Sequence, residues 1–205
     1  RVTLQRQGAA EGTYTLMSVP AEDFPELPGE IEGPEMTFPE DADEDASEDG
    51  HLLRDMIFRT AFAVSRDETR PVLNGVLWQV GEGRMTMVAT DGARLVKYSR
   101  SLSASPQDGV TEAIVPTRAL NHLVKLMSGG SKLERVQFGH NHLMFNLSVS
   151  GEDETGGGED IRLFSRLIEG PYVDYQHVIP QTNGKRLKVF THLLAPAVRR
   201  VSILS

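Results

Sequence analysis

Val76-Leu77-Trp78-Gln79-Val80-Gly81-Glu82-Gly83-Arg84-Met85-Thr86-Met87-Val88-Ala89 decides the fold class. Two short apolar runs flank a glycine-rich turn, which is the signature of a β-hairpin and therefore of antiparallel pairing. Downstream, Arg135 to Phe138 and Leu143 to Leu147 flank a second turn. Ile114-Val115 and Ile161 to Ser165 read as further short strands, and Val2 to Leu4 with Thr13 to Met17 as another hairpin. Two helical patterns interrupt the strands. The first spans about His51 to Ser65, with Leu53, Met56, Ile57, Thr60 and Val64 on one side at helical spacing. The second spans about Thr117 to Met127, with Thr117 as N-cap and Gly129-Gly130 as the stop. The expected class is α+β.

The chain also repeats itself over a long distance. His51-Leu52-Leu53 followed by Arg59 recurs as His192-Leu193-Leu194 followed by Arg200, a shift of 192 − 51 = 141. Leu16-Met17-Ser18 followed by Glu22 recurs in the same order as Leu163-Phe164-Ser165 followed by Glu169, a shift of 163 − 16 = 147. A short apolar strand ending in Phe precedes the helix in both copies, Met36-Thr37-Phe38 and Leu187-Lys188-Val189-Phe190. A period near 150 residues suits one hydrophobic core per copy. The expected organisation is the end of one domain, a complete second and the start of a third, and the absence of an initial Met agrees with a fragment. Against the later copy, Pro39 to Gly50 is extra; its dense like charge predicts a solvated, disordered loop. The Asp41-x-Asp43-x-Asp45 spacing is no EF-hand, because Ala46 and Leu52 stand where Gly and a bidentate Glu are needed.

The 205 residues are 39% hydrophobic and 24% charged, enough for a sizeable core. No apolar run approaches the ~18 residues of a membrane span. Cysteine is absent, which removes disulfides, thiolate nucleophiles and Cys-based zinc sites and fits a reducing cytoplasm. The net charge of −8 opposes a simple basic nucleic-acid binder, yet much of the acid sits in Pro39 to Gly50 and in a second loop, residues 151–160. On the second helix Arg118, His122 and Lys125 fall within roughly 60° of one another, opposite Leu120, Leu123, Val124 and Met127. Arg54 and Arg59 on the first helix and Arg199 with Arg200 on the third repeat the pattern. A solvated helix face accounts for any one of these; their recurrence points to helices that face a polyanion. Arg54 and Arg59 lie roughly 140° apart, with Asp55 between them.

Catalytic constellations are missing. His140-Asn141-His142 sits in a turn without a third metal ligand. Asp91-Gly92 reads as a turn, and Gly156-Gly157-Gly158 lacks the context of a phosphate loop. Ser65, Ser165 and Ser205 lack nucleophile-elbow glycines. The expectation is no intrinsic catalysis, no cofactor and no metal.

Longer words in the sequence then become recognisable. Thr69-Arg70-Pro71-Val72-Leu73-Asn74-Gly75-Val76-Leu77, Val88-Ala89-Thr90-Asp91-Gly92-Ala93-Arg94-Leu95, Ile114-Val115-Pro116, and Ser165-Arg166-Leu167-Ile168-Glu169-Gly170 through Val178-Ile179-Pro180 resemble the bacterial DNA polymerase III beta subunit, the replicative sliding clamp. The resemblance covers essentially the whole chain. It implies a clamp fold of repeated domains, with antiparallel sheets outside and two helices inside, closed by two polypeptides into a ring around duplex DNA. Residues 1–30 would end the first domain, 31–182 form the central one and 183–205 begin the third. The resemblance further implies a DNA replication processivity factor, an accessory subunit of DNA-directed DNA polymerase. Its partners would be the catalytic polymerase subunit, the clamp loader and repair polymerases, which insert linear motifs into a hydrophobic cleft. Leu73, Thr90, Gly92, Arg94, Leu95 and Pro180 would supply this chain's part of that cleft. Ala93 stands where the family carries a larger polar or aromatic residue, and Val173 where it carries Pro; no DNA role attaches to Pro71 or Val72. The alternative is a protein-interaction module that keeps the cleft without the ring.

Overall fold

The computed structural model describes residues 2–6, 12–23, 31–38, 44–101, 109–149 and 159–204. Its strands and helices run β1 (Val2–Arg6), β2 (Gly12–Leu16), β3 (Glu35–Thr37), α1 (Glu44–Thr60), β4 (Gly75–Gly81), β5 (Arg84–Thr90), β6 (Leu95–Ser101), β7 (Val110–Pro116), α2 (Thr117–Ser128), β8 (Ser131–Phe138), β9 (His142–Val149), β10 (Glu159–Arg166), α3 (Tyr175–Val178) and α4 (Thr191–Val201). The chain divides into two compact units, Arg1–Gly170 and Pro171–Ser205.

The first unit contains two four-stranded antiparallel sheets, ordered β10-β9-β8-β3 and β6-β5-β4-β7, and the separate β1–β2 hairpin. The β4–β5 hairpin is joined by Glu82 and Gly83 alone, since Gly81 pairs with Arg84. Both linking residues have positive φ, 54° and 69°. This is the twist-matched geometry of two-residue hairpins, which asks for Asn or Gly at the first position. Glu82 is an exposed L-residue in that left-handed conformation. Glu82→Asn is expected to stabilise the chain by about 0.5–1 kcal/mol, a rise in Tm of about 2–4 °C per kcal/mol. A lower Tm by calorimetry would contradict the turn assignment.

One core joins both sheets and both helices. Trp78 of β4 is fully buried, with ring centroids 6.4 Å from Phe138 of β8 and 6.2 Å from Phe145 of β9. Leu53, Met56, Ile57 and Thr60 of α1 and Leu120 and Leu123 of α2 are all buried, on the sides that helical spacing selects. Thr60 enters the core because its hydroxyl donates back to the Met56 carbonyl at 2.8 Å, which satisfies the polar group locally.

Several expectations are corrected. The acidic stretch was expected to be a loop up to Gly50, but α1 starts at Glu44; residues 39–43 lie outside the described residues. The first helix also ends earlier, at Thr60, and continues as a 3-10 turn over Ala61–Ala63. The second acidic loop gives way to β10 from Glu159 onward, while Gly156–Gly158 and Ser205 are not among the described residues. Thr117 does not cap α2. Pro116 holds the N-cap position, and the Thr117 hydroxyl donates instead to the Asn74 carbonyl at 2.7 Å. The stop holds, with the Gly129 amide donating to the carbonyls of Leu126 and Lys125.

Strand β6 was not anticipated. Its Lys97, Ser99 and Ser101 dilute the apolar signal, although Val96 and Tyr98 alternate with them on the core side.

In the second unit, the strand expected over Leu187 to Phe190 is absent, since no strand among the described residues pairs with it. Pro196 falls inside α4, beyond its first turn. The residues of α4 are exposed or half-buried, so solvent can satisfy the carbonyl that proline leaves unbonded. The sequence echoes fall on like elements, Leu16 and Leu163 on strands, His51 and His192 on helices.

Candidate functional site

Four of the six predicted cleft residues lie on one connection, the turn from β5 to β6. Thr90 closes β5 and pairs across the ladder with Leu95, the first residue of β6. The Thr90 hydroxyl donates to the Arg94 carbonyl at 2.7 Å and accepts the Gly92 amide at 3.1 Å. Gly92 has φ 92°, a conformation open to glycine at no steric cost. The Asp91 carboxylate accepts the amides of Ala93 and Arg94, both at 3.0 Å. Those bonds, the Arg94 amide foremost, hold its pKa below the ordinary 3.8. The turn therefore keeps its carboxylate contacts at neutral pH and loses them only as pH falls below that value. The Asp-Gly turn reading is thus correct.

Leu73 lies in the 3-10 turn Pro71–Asn74 and is 4% exposed. Its amide donates to Arg70 and its carbonyl accepts from Ser65. Leu77, Val88 and Ile114 are buried on the sheet face opposite the helices and stand outside the core that the helices share. Leu77 pairs directly with both others. Thr90 and Leu95, on the sheet face of Val88, thus adjoin an apolar floor that the sequence reading missed. Its signal was present in Gly75 to Trp78 and Met87 to Ala89, runs too continuous for strands with one wet face. Pro180 is exposed in the second unit.

Arg94 points its guanidinium toward the helix layer. Nε donates to Asp91 Oδ2 at 3.0 Å, Nη2 to the Phe62 carbonyl at 3.0 Å, and the group lies 5.5 Å from the Phe62 ring centroid. Among the expected cleft residues it is therefore a brace for the turn.

Of the basic residues, Arg118, His122 and Lys125 are exposed together along α2, opposite buried Leu120 and Leu123; Val124 and Met127 are half-buried. Arg54 is exposed on α1. Arg59 is exposed but engaged, since Nε donates to Asp55 Oδ2 at 2.6 Å and the guanidinium lies 5.5 Å from the Tyr98 ring. Arg59 lowers the Asp55 pKa, and Arg100 covers the same ring at 4.2 Å. Arg199 and Arg200 are exposed on α4 of the second unit. Among the described residues no cluster of three His, Cys, Asp or Glu could hold a metal ion, and no helix is long and apolar enough to cross a membrane.

The family model described as DNA polymerase III beta subunit, central domain, matches residues 49–174. The beta sliding clamp of Bacillus subtilis is 29% identical over 204 residues, covering 100% of this chain and 48% of its own length. That of Escherichia coli K12 is 30% identical over 193 residues, covering 94% and 46%. This chain thus spans about half the length of the curated relatives it matches. The crystal structure of the Bacillus subtilis sliding clamp superposes with a TM-score of 0.72 at 30% identity, over 98% of this chain and 46% of that one. A Pseudomonas aeruginosa sliding clamp bound to griselimycin gives 0.65 at 26% identity, over 89% and 43%. The central-domain match over residues 49–174, on a chain whose two antiparallel sheets and two helices share one core, establishes that the chain belongs to the DNA polymerase III beta subunit family.

Proposed function

We propose that this chain is the middle part of a ring-forming sliding clamp, a non-catalytic replication processivity factor that encircles duplex DNA in the cytoplasm as a homodimer. Residues 1–30, 31–182 and 183–205 belong to its first, second and third domains in this reading. The observation that carries it is α2: Arg118, His122 and Lys125 are exposed along one face, while Leu120 and Leu123 are fully buried on the other. An acidic chain that places its cations on a helix face meets a polyanion there, while its remaining surface repels DNA. A closed ring is retained by topology, so weak, sequence-blind contacts suffice and sliding stays possible. Arg118→Glu in the complete polypeptide is expected to lower retention on DNA with Tm unchanged; unchanged retention across several salt concentrations would contradict the DNA-facing assignment.

The same reading gives the outer face a docking role for linear motifs of the catalytic polymerase subunit, the clamp loader and repair polymerases. Leu73, Thr90, Gly92 and Leu95 contribute to it, with Arg94 bracing the turn. A consensus clamp-binding peptide should bind saturably in fluorescence polarisation. Leu73→Ala is expected to weaken it about tenfold or more, on the scale of a lost apolar side chain, and Arg94→Ala less. Equal binding by a folded Leu73→Ala variant would remove Leu73 from the cleft. The burial of Leu77, Val88 and Ile114 apart from the helix-side core favours one second reading, a peptide-binding module without a ring. It would bind the peptide yet show no dependence of DNA retention on Arg118.

A further inference from the structure

We infer that the hollow between the end of α1 and the start of α2 holds an unstacked base of single-stranded DNA; this rests on the proposal that both helices face DNA. The hollow is half open to solvent and has a volume of about 900 Å³, within the range of ligand sites. Ile57, Ala61 and Val124 contribute apolar lining. Phe58 and Phe62 also line it, yet they are 77% and 58% exposed. Phe58 is on α1 and Phe62 on the 3-10 turn that continues it. An exposed ring pair on a surface otherwise suited to phosphates gains nothing from duplex DNA, whose ring faces are stacked on one another.

Charge selects the occupant. Arg66 lines the hollow beside Arg94, whose guanidinium is held by Asp91 and the Phe62 carbonyl; Arg54 precedes Phe58 by one turn, and Arg118 follows the lining residue Thr117. The acid in the lining, Asp91, is already bonded to Arg94 at 3.0 Å. Aromatic faces set among cations are what single-stranded nucleic acid requires, since bases stack on the rings and phosphates pair with the cations. An apolar peptide would fill the hollow but offer Arg54, Arg66 and Arg118 no anion.

The test uses the complete polypeptide at low salt, with a fluorescein-labelled oligo-dT of about 20 nucleotides and a blunt duplex of equal length. Base stacking on aromatic side chains contributes about 1–3 kcal/mol per base. Phe58→Ala with Phe62→Ala should therefore weaken oligo-dT binding about 5- to 150-fold, with duplex affinity and circular dichroism unchanged. Photocrosslinks from 5-iodouracil in the oligonucleotide should map to Phe58 or Phe62. Oligo-dT affinity indifferent to the double variant, crosslinks confined to other residues, or an acidic peptide that needs the phenylalanines while oligo-dT does not, would each overturn the inference. Failure of the underlying reading shows separately, as duplex affinity indifferent to Arg118→Glu.

Discussion

Trp78→Ala is expected to destabilise the chain by about 3–5 kcal/mol, the range for truncating a large buried aromatic, and to lower Tm by at least several degrees. Trp78 is fully buried and its ring meets Phe138 and Phe145 of the other sheet, the second in an edge-on arrangement. Truncation opens a cavity where the two sheets and both helices converge, and close-packed surroundings recover little of it. Trp78→Phe is the informative companion. The indole Nε1 is buried with no hydrogen-bond partner among the described residues, a condition that costs about 1–3 kcal/mol. Phe removes that donor and keeps most of the aromatic contact, so its net cost should stay below about 1.5 kcal/mol. Chemical denaturation of both variants separates the contributions. A cost below about 1 kcal/mol for the Ala variant would mean that the sheets do not share this core.

The second large effect is electrostatic. Arg118→Glu combined with Lys125→Glu reverses two charges on the exposed face of α2, where neither side chain supports the core. If both meet phosphates, the logarithm of DNA affinity should depend on the logarithm of salt with a slope shallower by about 2 units. Affinity at low salt should fall by about tenfold or more, with Tm unchanged. Reversing Arg59 should matter less at the DNA, because its guanidinium is already shared between Asp55 and the Tyr98 ring. An equal loss from Arg59→Glu would show that its ion pair opens at little cost, as exposed pairs often do.

What was legible in the sequence was whatever local chemistry controls alone. The hairpin at Gly81 to Arg84, the stop at Gly129, the Asp91-Gly92 turn and the apolar stripe of α1 each follow from a few neighbouring residues, and the structure places them as read. The opposed basic and apolar faces of α2 were legible for the same reason. Features set by partners distant in sequence were not. Thr117 lost its capping role to the Asn74 carbonyl, 43 residues away. Arg94 is claimed by Phe62, and Arg59 by Tyr98. The strand expected at Leu187 to Phe190 failed because a strand needs a neighbour, which no periodicity supplies. Nor could spacing separate Leu73, Leu77 and Ile114 from ordinary core residues. Two sheets bury apolar side chains on both faces, and only the tertiary arrangement shows which face meets the helices.

The central claim is retention by encirclement, and its most direct test compares circular with linear DNA. The labelled complete polypeptide, loaded by a bacterial clamp loader onto a nicked circle, would be passed through a sizing column before and after the circle is cut once. The account predicts co-elution with the circle even at elevated salt, and loss from the DNA on linearisation. Retention that is equal on both forms and falls steeply with salt would contradict it, because the chain would then be held by surface contacts rather than by a closed ring.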